Sequence, residues 1–357
     1  KEASPISDNV LIYGLSNGQA VVVKQQYKVT YPNNKRLITA SLLYPLGEEP
    51  ITVDTKGKPL EKIAVVLGEK TSTIVAKTPD EVRLLYVEKE VNMMTDEVTL
   101  NRTESLLDTP AASVADVLLD KEERNLYLIG TDGHLSFFDV SDKEKPVLRQ
   151  NLNIVAADAK VTANVFLNGD SSVLIGDSTG EIAQWTMVRD ELKRPAMQKI
   201  RSFKLSNKPI VAITSEPRRK GFAAFDNEGL MGVYYTTSER EAIKESVCKT
   251  QPVTAALSPR ANSLLIEAND GNIHFWKIDN KHPEVSIKSL WQEVWYEGYG
   301  KPDYIWQSSA ANNDFEPKYS LTPLVFGTLK AAFYAMLVAI PLSLMGAIYS
   351  AYFMTPA

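Results

Sequence analysis

Enzyme chemistry needs titratable or nucleophilic side chains at defined spacings, and this chain offers few. Its three histidines, His134, His274 and His282, are scattered. His134 directly follows a turn glycine and His274 stands three residues past another. Two separate hairpins would have to converge for both to ligate one ion, so they read as strand-surface residues. Cys248 is the single cysteine, which rules out an internal disulfide and any paired-cysteine metal motif. No HExxH, GxSxG or phosphate-cradling glycine loop is present. Asp177 and Asp226 each precede a turn glycine by three residues, and acidic side chains at turns favour hairpin geometry. The expectation is a chain with no catalytic residues, no metal and no cofactor, and therefore not an enzyme.

Anion recognition would require backbone amides or Arg and Lys forks. Arg218-Arg219-Lys220 is the one compact basic cluster outside the tail, and its place between two strands predicts a solvated turn. Lys and Arg total 39 against 44 Asp and Glu, a formal net charge of −5. A nucleic-acid surface needs a clear basic excess, so that partner class is excluded.

The elements that position these residues are repeats. Val161 to Val188 reads as a short alternating strand, a polar turn, a second strand, a glycine turn and a third strand with a late aromatic. The same layout returns at Ala112 to Val140, Pro209 to Tyr235 and Pro252 to Ile278, with a weaker copy at Ile63 to Lys89. A half copy without its innermost strand opens the chain at Asn9 to Tyr27. Gly133, Gly180, Gly229 and Gly271 are spaced by 42 to 49 residues, the period of a propeller blade. Asn17-Gly18, Asp132-Gly133 and Asp270-Gly271 supply the positive φ that tight hairpins demand. One such sheet cannot bury both faces alone, whereas a ring of them can. The pattern predicts an all-β fold, a six- or seven-bladed β-propeller over residues 1–288, with seven slightly favoured. Ser141 to Pro146, Arg189 to Arg194 and Ser238 to Lys249 read as charged, solvated outer connections.

Composition then shifts. Trp291, Trp295, Tyr296, Tyr299, Tyr304 and Trp306 crowd a linker at 289–319, with Gly298, Gly300 and Pro302 preventing a long helix. These aromatics fit either the propeller's last strands or a membrane-interface belt. A polar, loop-like stretch follows from Ser308 to Pro317. Residues 320–357 carry the tail helix. From Ala331 to Phe353 no side chain is charged, and at about 1.5 Å per residue that run spans about 35 Å, enough to cross a bilayer. Pro341 lies near its middle, a helix kink that a membrane tolerates when neighbours satisfy the freed carbonyl. Gly327, Ala331, Ala335, Ala339, Ser343, Ala347 and Ala351 form a row of small residues at every fourth position. Such rows admit close helix packing in lipid. The row drifts about 40° per step, so it predicts a helix inside a bundle and not a simple anchor.

The run Glu316 to Phe353 resembles the first core membrane helix of a phosphate ABC transporter permease. The likeness rests on Pro323-Leu324, Phe326-Gly327-Thr328-Leu329, Pro341-Leu342 and Ala347-Ile348-Tyr349. The chain departs at Ser343, where that family usually carries glycine. The remainder resembles the large extracytoplasmic insert, a periplasmic WD40-like propeller, that some of these permeases carry. The resemblance implies a fragment that continues past Ala357 and is preceded by a membrane helix. It also implies a bacterial inner-membrane location, with residues up to about 319 in the periplasm. The implied partners are a second permease subunit, cytoplasmic ATPase subunits that hydrolyse ATP, a periplasmic phosphate-binding protein and membrane lipid. With no basic side chain in 331–353, residues that meet the anion are expected elsewhere in the complex. The alternative is a periplasmic propeller scaffold or sensor tethered by this helix, without a role in transport.

Overall fold

The computed structural model describes residues 10–91, 98–189, 194–307 and 315–354. The parts of the expected polar loop at 308–314 and of the charged connection at 190–193 lie outside them. Strands gather into six sheets of three or four antiparallel members, in chain order around an axis. Blade 1 holds β1 (Val10–Gly14), β2 (Gln19–Thr30), β3 (Leu37–Leu43) and β4 (Ile51–Thr52). Blade 2 holds β5 (Lys62–Leu67), β6 (Thr71–Lys77), β7 (Val82–Val91) and β8 (Val98–Leu107). Blade 3 holds β9 (Asp116–Leu119), β10 (Asn125–Ile129), β11 (His134–Asp139) and β12 (Val147–Asn153). Blade 4 holds β13 (Val161–Phe166), β14 (Ser172–Asp177), β15 (Glu181–Arg189) and β16 (Pro195–Lys204). Blade 5 holds β17 (Ile210–Ser215), β18 (Gly221–Asp226), β19 (Leu230–Tyr235) and β20 (Arg240–Ser246). Among the described residues blade 6 has three strands, β21 (Pro252–Leu257), β22 (Ser263–Ala268) and β23 (Ile273–Lys277). The favoured count of seven is thus corrected to six: the long stretch after Gly18 is spent on an extended β2–β3 hairpin and β4, all in one sheet.

Alternation explains the packing. In β14, Val173 and Ile175 join the core shared with blade 3, while Leu174 points the other way into the core shared with blade 5. In β18, Phe222 and Ala224 face blade 4, whereas Ala223 and Phe225 face blade 6. The second strands β14 and β18 are therefore buried on both faces, and each fully buried large side chain contributes about 1.5–3 kcal/mol. Five apolar seams join consecutive blades. Among the described residues none joins blade 6 to blade 1, and Ile273 and Phe275 stay exposed.

The turn glycines carry a repeated contact. Gly18, Gly133, Gly180 and Gly229 have positive φ, and each carbonyl accepts the amide that follows its blade's last strand, from Val53, Ile154, Leu205 and Val247 at 2.9, 2.9, 3.1 and 2.9 Å. This register shows that β1 and β2 are the second and third strands of blade 1, and among the described residues it has no innermost strand. Because neighbouring strands alternate in direction, each blade's first and third turns lie at one end of the propeller. The glycine turns and blade-to-blade links lie at the other.

After blade 6 come α1 (Ile287–Trp291), β24 (Trp306–Gln307), β25 (Lys318–Tyr319) and α2 (Thr322–Phe353). Ser286 caps α1 in a reciprocal pair with Ser289.

Candidate membrane attachment site

α2 is a single helix of 32 residues with no buried residue, and its mean hydropathy reaches 2.0. It runs unbroken through Pro341, which has no amide hydrogen, so the Leu337 carbonyl lacks its intrahelical donor. Nearby hydroxyls turn inward onto the backbone: Ser343 Oγ donates to Ile340 O at 2.9 Å, and Thr328 Oγ1 to Leu324 O at 2.9 Å. Gly327, Ala331, Ala335, Ala339, Ser343, Ala347 and Ala351 all lie on this uncovered helix. An apolar surface this large around a whole helix needs lipid or other helices to cover it.

The helix does not hang from a loose linker. Residues 280–307 and 315–320 fold back onto the end of the propeller that carries the first and third turns of blades 4 and 5. Ser238 Oγ donates to Pro283 O at 2.6 Å, and Lys288 pairs with Glu239 at 2.5 Å. Val294 and Asp303 form a β-bridge, Ser320 N reaches Ile305 O, and Leu321 N bonds Leu290 O at 2.8 Å immediately before α2. The first turn of α2 is thereby tied to α1, and α1 to blade 5.

A buried polar cluster locks this junction. Lys220, 1% exposed, donates to Glu297 Oε2 at 2.6 Å and to Asn168 O at 2.5 Å. The other Glu297 oxygen accepts from Ser172 Oγ at 2.6 Å and Gln184 Nε2 at 3.3 Å. Glu316 accepts from Thr237 Oγ1 at 2.7 Å and from the Glu297 amide at 2.8 Å, with Arg201 Nη1 at 4.0 Å. Arg201 also donates to the Trp295 carbonyl. Burial, and then the Glu297 carboxylate, push the Glu316 carboxyl above its ordinary range, against the opposing pull of Arg201 and Thr237. Lys318 sits among the rings of Phe315, Tyr296 and Tyr299 at 4.9, 5.5 and 5.9 Å, and burial lowers its ammonium pKa. Tyr296 is fully buried, and burial pushes its hydroxyl up to about 12.

The solvated turn expected at Arg218-Arg219-Lys220 is corrected in part: Arg218 is exposed, but its two neighbours are engaged. Lys220 is a buried latch, and Arg219 Nε pairs with Glu216 at 2.6 Å while its Nη1 reaches Asn280 O. The reason is tertiary: the linker folds over this turn and supplies the carboxylate. Ser238, at the start of another expected solvated connection, is buried under the same segment. Trp291, Trp295 and Trp306 separate in role. Trp295 Nε1 bonds Tyr299 O at 2.7 Å inside the linker, whereas Trp291 and Trp306 keep nearly half their surface exposed, at 49% and 42%. Asp177 and Asp226 brace their turns, each accepting two backbone amides through Oδ1.

Blades 3 and 4 leave a cavity of about 420 Å3 at this same end, lined by Asp120, Lys121, Glu122, Asp170, Arg189 and Glu297 among others. Asp120 is held by the Arg124 and Asn125 amides and the Asn125 side chain. Carboxylates outnumber the cations Lys121 and Arg189 in this wall, a balance that disfavours an anion. His134 and His274 lie in β11 and β23, on separate blades, and His282 contacts Glu284 at 3.4 Å. The Lys220, Glu297, Arg201 and Glu316 cluster had no sequence signature, since its members are 19 to 115 residues apart in pairs across the contact. The only trace was charge embedded in aromatic sequence, at Glu297 and Lys318.

No protein-family profile matches the sequence, and no curated protein matches it. Many solved structures share the fold. Sqt1 from Chaetomium thermophilum bound to the N-terminus of the ribosomal protein L10 aligns with 15% identity and a TM-score of 0.48, over 75% of this chain and 69% of that one. Sqt1 from the same organism in a second structure gives 15%, 0.48, 77% and 68%. A chain of the mitotic checkpoint complex gives 12%, 0.47, 76% and 72%. At these identities the likeness concerns the fold alone.

Proposed function

We propose that this chain belongs to a permease subunit of an ABC importer for phosphate, with α2 forming part of the membrane bundle and the propeller serving as a periplasmic interaction domain. The observation that carries the reading is α2 itself: an apolar helix with a small residue at every fourth position, and the motif likeness of Glu316 to Phe353 to such permeases. The small row turns around the helix, which suits contact with more than one neighbour. The buried junction supports a domain held in a defined pose over the membrane and not a freely swinging one. ATP hydrolysis falls to separate cytoplasmic subunits, and the partners are a second permease subunit, those ATPases, a periplasmic phosphate-binding protein and lipid. The acidic cavity and the sequestered Lys220 favour a protein ligand for the propeller over phosphate.

The second reading is a membrane-tethered propeller without a transport role, favoured by the same exposed helix. Affinity purification of the protein from its native membrane separates the two. Recovery of a second permease and an ATPase, with phosphate uptake lost on deletion of the gene, supports the importer. A protein recovered without either, and uptake unchanged, supports the tether and ends the transport proposal.

A further inference from the structure

Among the described residues, the β2–β3 hairpin of blade 1 joins no core beyond Val23. β1 pairs only with residues 20–24 of β2, while residues 25–30 of β2 pair with β3 alone. Six residues at about 3.3 Å each carry the hairpin about 20 Å past the body of the blade. All seven residues of β3 are exposed. Directly paired residues share a face, which separates two unlike surfaces. Gln25 with Leu42, Tyr27 with Ala40 and Val29 with Ile38 make one face, apolar but for Gln25. Lys24 with Leu43, Gln26 with Ser41, Lys28 with Thr39 and Thr30 with Leu37 make the other, polar and basic but for Leu37 and Leu43 at its two ends. The tip adds Tyr31, 65% exposed, and the cations Lys35 and Arg36. A two-stranded ribbon with an open apolar face is marginal in water, so this element calls for a partner.

Two observations identify that partner's chemistry. Between Asp8 and Glu48 there is no acidic side chain, and four cations, Lys24, Lys28, Lys35 and Arg36, stand on the hairpin of a chain whose net charge is −5. The partner surface is therefore anionic. The hairpin's turn is also a third-strand turn, so it leaves the propeller at the same end as the docked linker and α2. Between Leu321 and the charge-free run at Ala331, α2 rises about 15 Å, of the same order as the reach of the hairpin. Tyrosines with an apolar ring and a polar tip suit the headgroup level, and basic side chains are drawn to anionic lipid. We infer that the β2–β3 hairpin is a second membrane contact, lying with Tyr27, Val29, Tyr31 and Ile38 in the headgroup region of an anionic bilayer.

This inference rests on α2 spanning the membrane, and the test keeps the two apart. The full chain, in a Cys248→Ser background, is placed in nanodiscs of phosphatidylcholine with or without phosphatidylglycerol. A single cysteine at Tyr31→Cys, Leu337→Cys or Asn272→Cys carries an environment-sensitive dye, and nitroxide-headgroup lipid is the quencher. The expected result is quenching at position 31 in anionic discs, weak quenching in neutral discs, and a wet label at 272 on the far end. Reversal of Lys28, Lys35 and Arg36 to Glu should return the position 31 signal to its detergent value. A dry label at 337 with a label at 31 as wet in anionic lipid as in detergent overturns the hairpin proposal alone. A wet label at 337 overturns the spanning helix and the hairpin contact with it. Quenching at 31 that persists after charge reversal rejects the anionic partner.

Discussion

Replacing Lys220 with Met tests whether the junction under α2 is held by its buried ion pair. Lys220 and the Glu297 side chain are 1% and 8% exposed. The substitution removes both Lys220 bonds and leaves Glu297 enclosed with only the weaker neutral donors Ser172 and Gln184. Breaking one partner of a buried pair costs about 3–5 kcal/mol, because the remaining charge is uncompensated. At 1.4 kcal/mol per decade, the equilibrium for linker docking shifts by about a hundredfold to a few thousandfold. Since Lys220 sits in a turn while the blade cores lie elsewhere, the loss should appear as local release and not as global unfolding. Hydrogen exchange of the Val294, Asp303, Ser320 and Leu321 amides reads it directly, and these should accelerate by that factor while β14 and β18 stay protected. The double variant Lys220→Met, Glu297→Gln should recover most of the protection, as apolar and neutral groups replace the pair together. Unchanged exchange at those four amides in Lys220→Met would refute the latch. Equal acceleration across β14 and β18 would show that Lys220 serves the blade and not the linker.

Further outcomes follow from the helix, the turns and Glu316. On the importer proposal, Ala339→Leu and Ser343→Leu should each disrupt assembly of the complex, while Ile340→Leu and Met336→Leu should be mild. Equal tolerance of all four in co-purification would leave α2 as an anchor only. Gly180→Ala and Gly229→Ala place a Cβ at positive φ against the Ser206 and Cys248 carbonyls, whereas at Gly271 the same space is empty. Gly271→Ala should therefore cost about 1 kcal/mol and the other two at least about twice that, read from urea midpoints. Glu316 is held above its ordinary 4.5, so the folded junction binds more protons than the released one between 4.5 and that raised value. Its contribution is lost as pH rises through the raised value, so exchange at Leu321, corrected for intrinsic rates, should slow from pH 8 to pH 5. Faster exchange at pH 5 would contradict the raised carboxyl.

The repeats were legible because each blade states its own period. Asp-Gly turns, alternation in stretches such as Val173 to Asp177, and late aromatics such as Trp185 and Trp276 are local signals, so strand order followed from sequence. The count was harder, because Asn9 to Lys62 mixes a missing inner strand with an overlong hairpin, and only the Val53 to Gly18 bond fixes which strand is which. The charge-free run of α2 was equally plain. Lys220 was misread for a definite reason: a basic side chain in a polar turn is solvated unless something covers it. The cover, Glu297, lies 77 residues away in the chain.

That cover changes what the propeller can do for the helix. A linker of exposed residues would let a membrane segment and a propeller tumble separately, since inter-domain motion is the default where contacts are few. Here the path from blade to helix passes through Lys220, Glu297, Glu316 and the Leu321 to Leu290 bond without an unbonded gap. Glu297 and Glu316 are coupled twice, by the amide of one on the carboxylate of the other and by mutual repulsion. A load on either propeller turn that separated Lys220 from Glu297 would therefore be felt at Glu316, three residues before the β25 end and six before α2. Binding of a protein to the turns of blades 4 and 5 would have to displace this segment or build on it. In either case the occupant acts on the first turn of α2, so the docked linker is a mechanical route from the propeller to that helix.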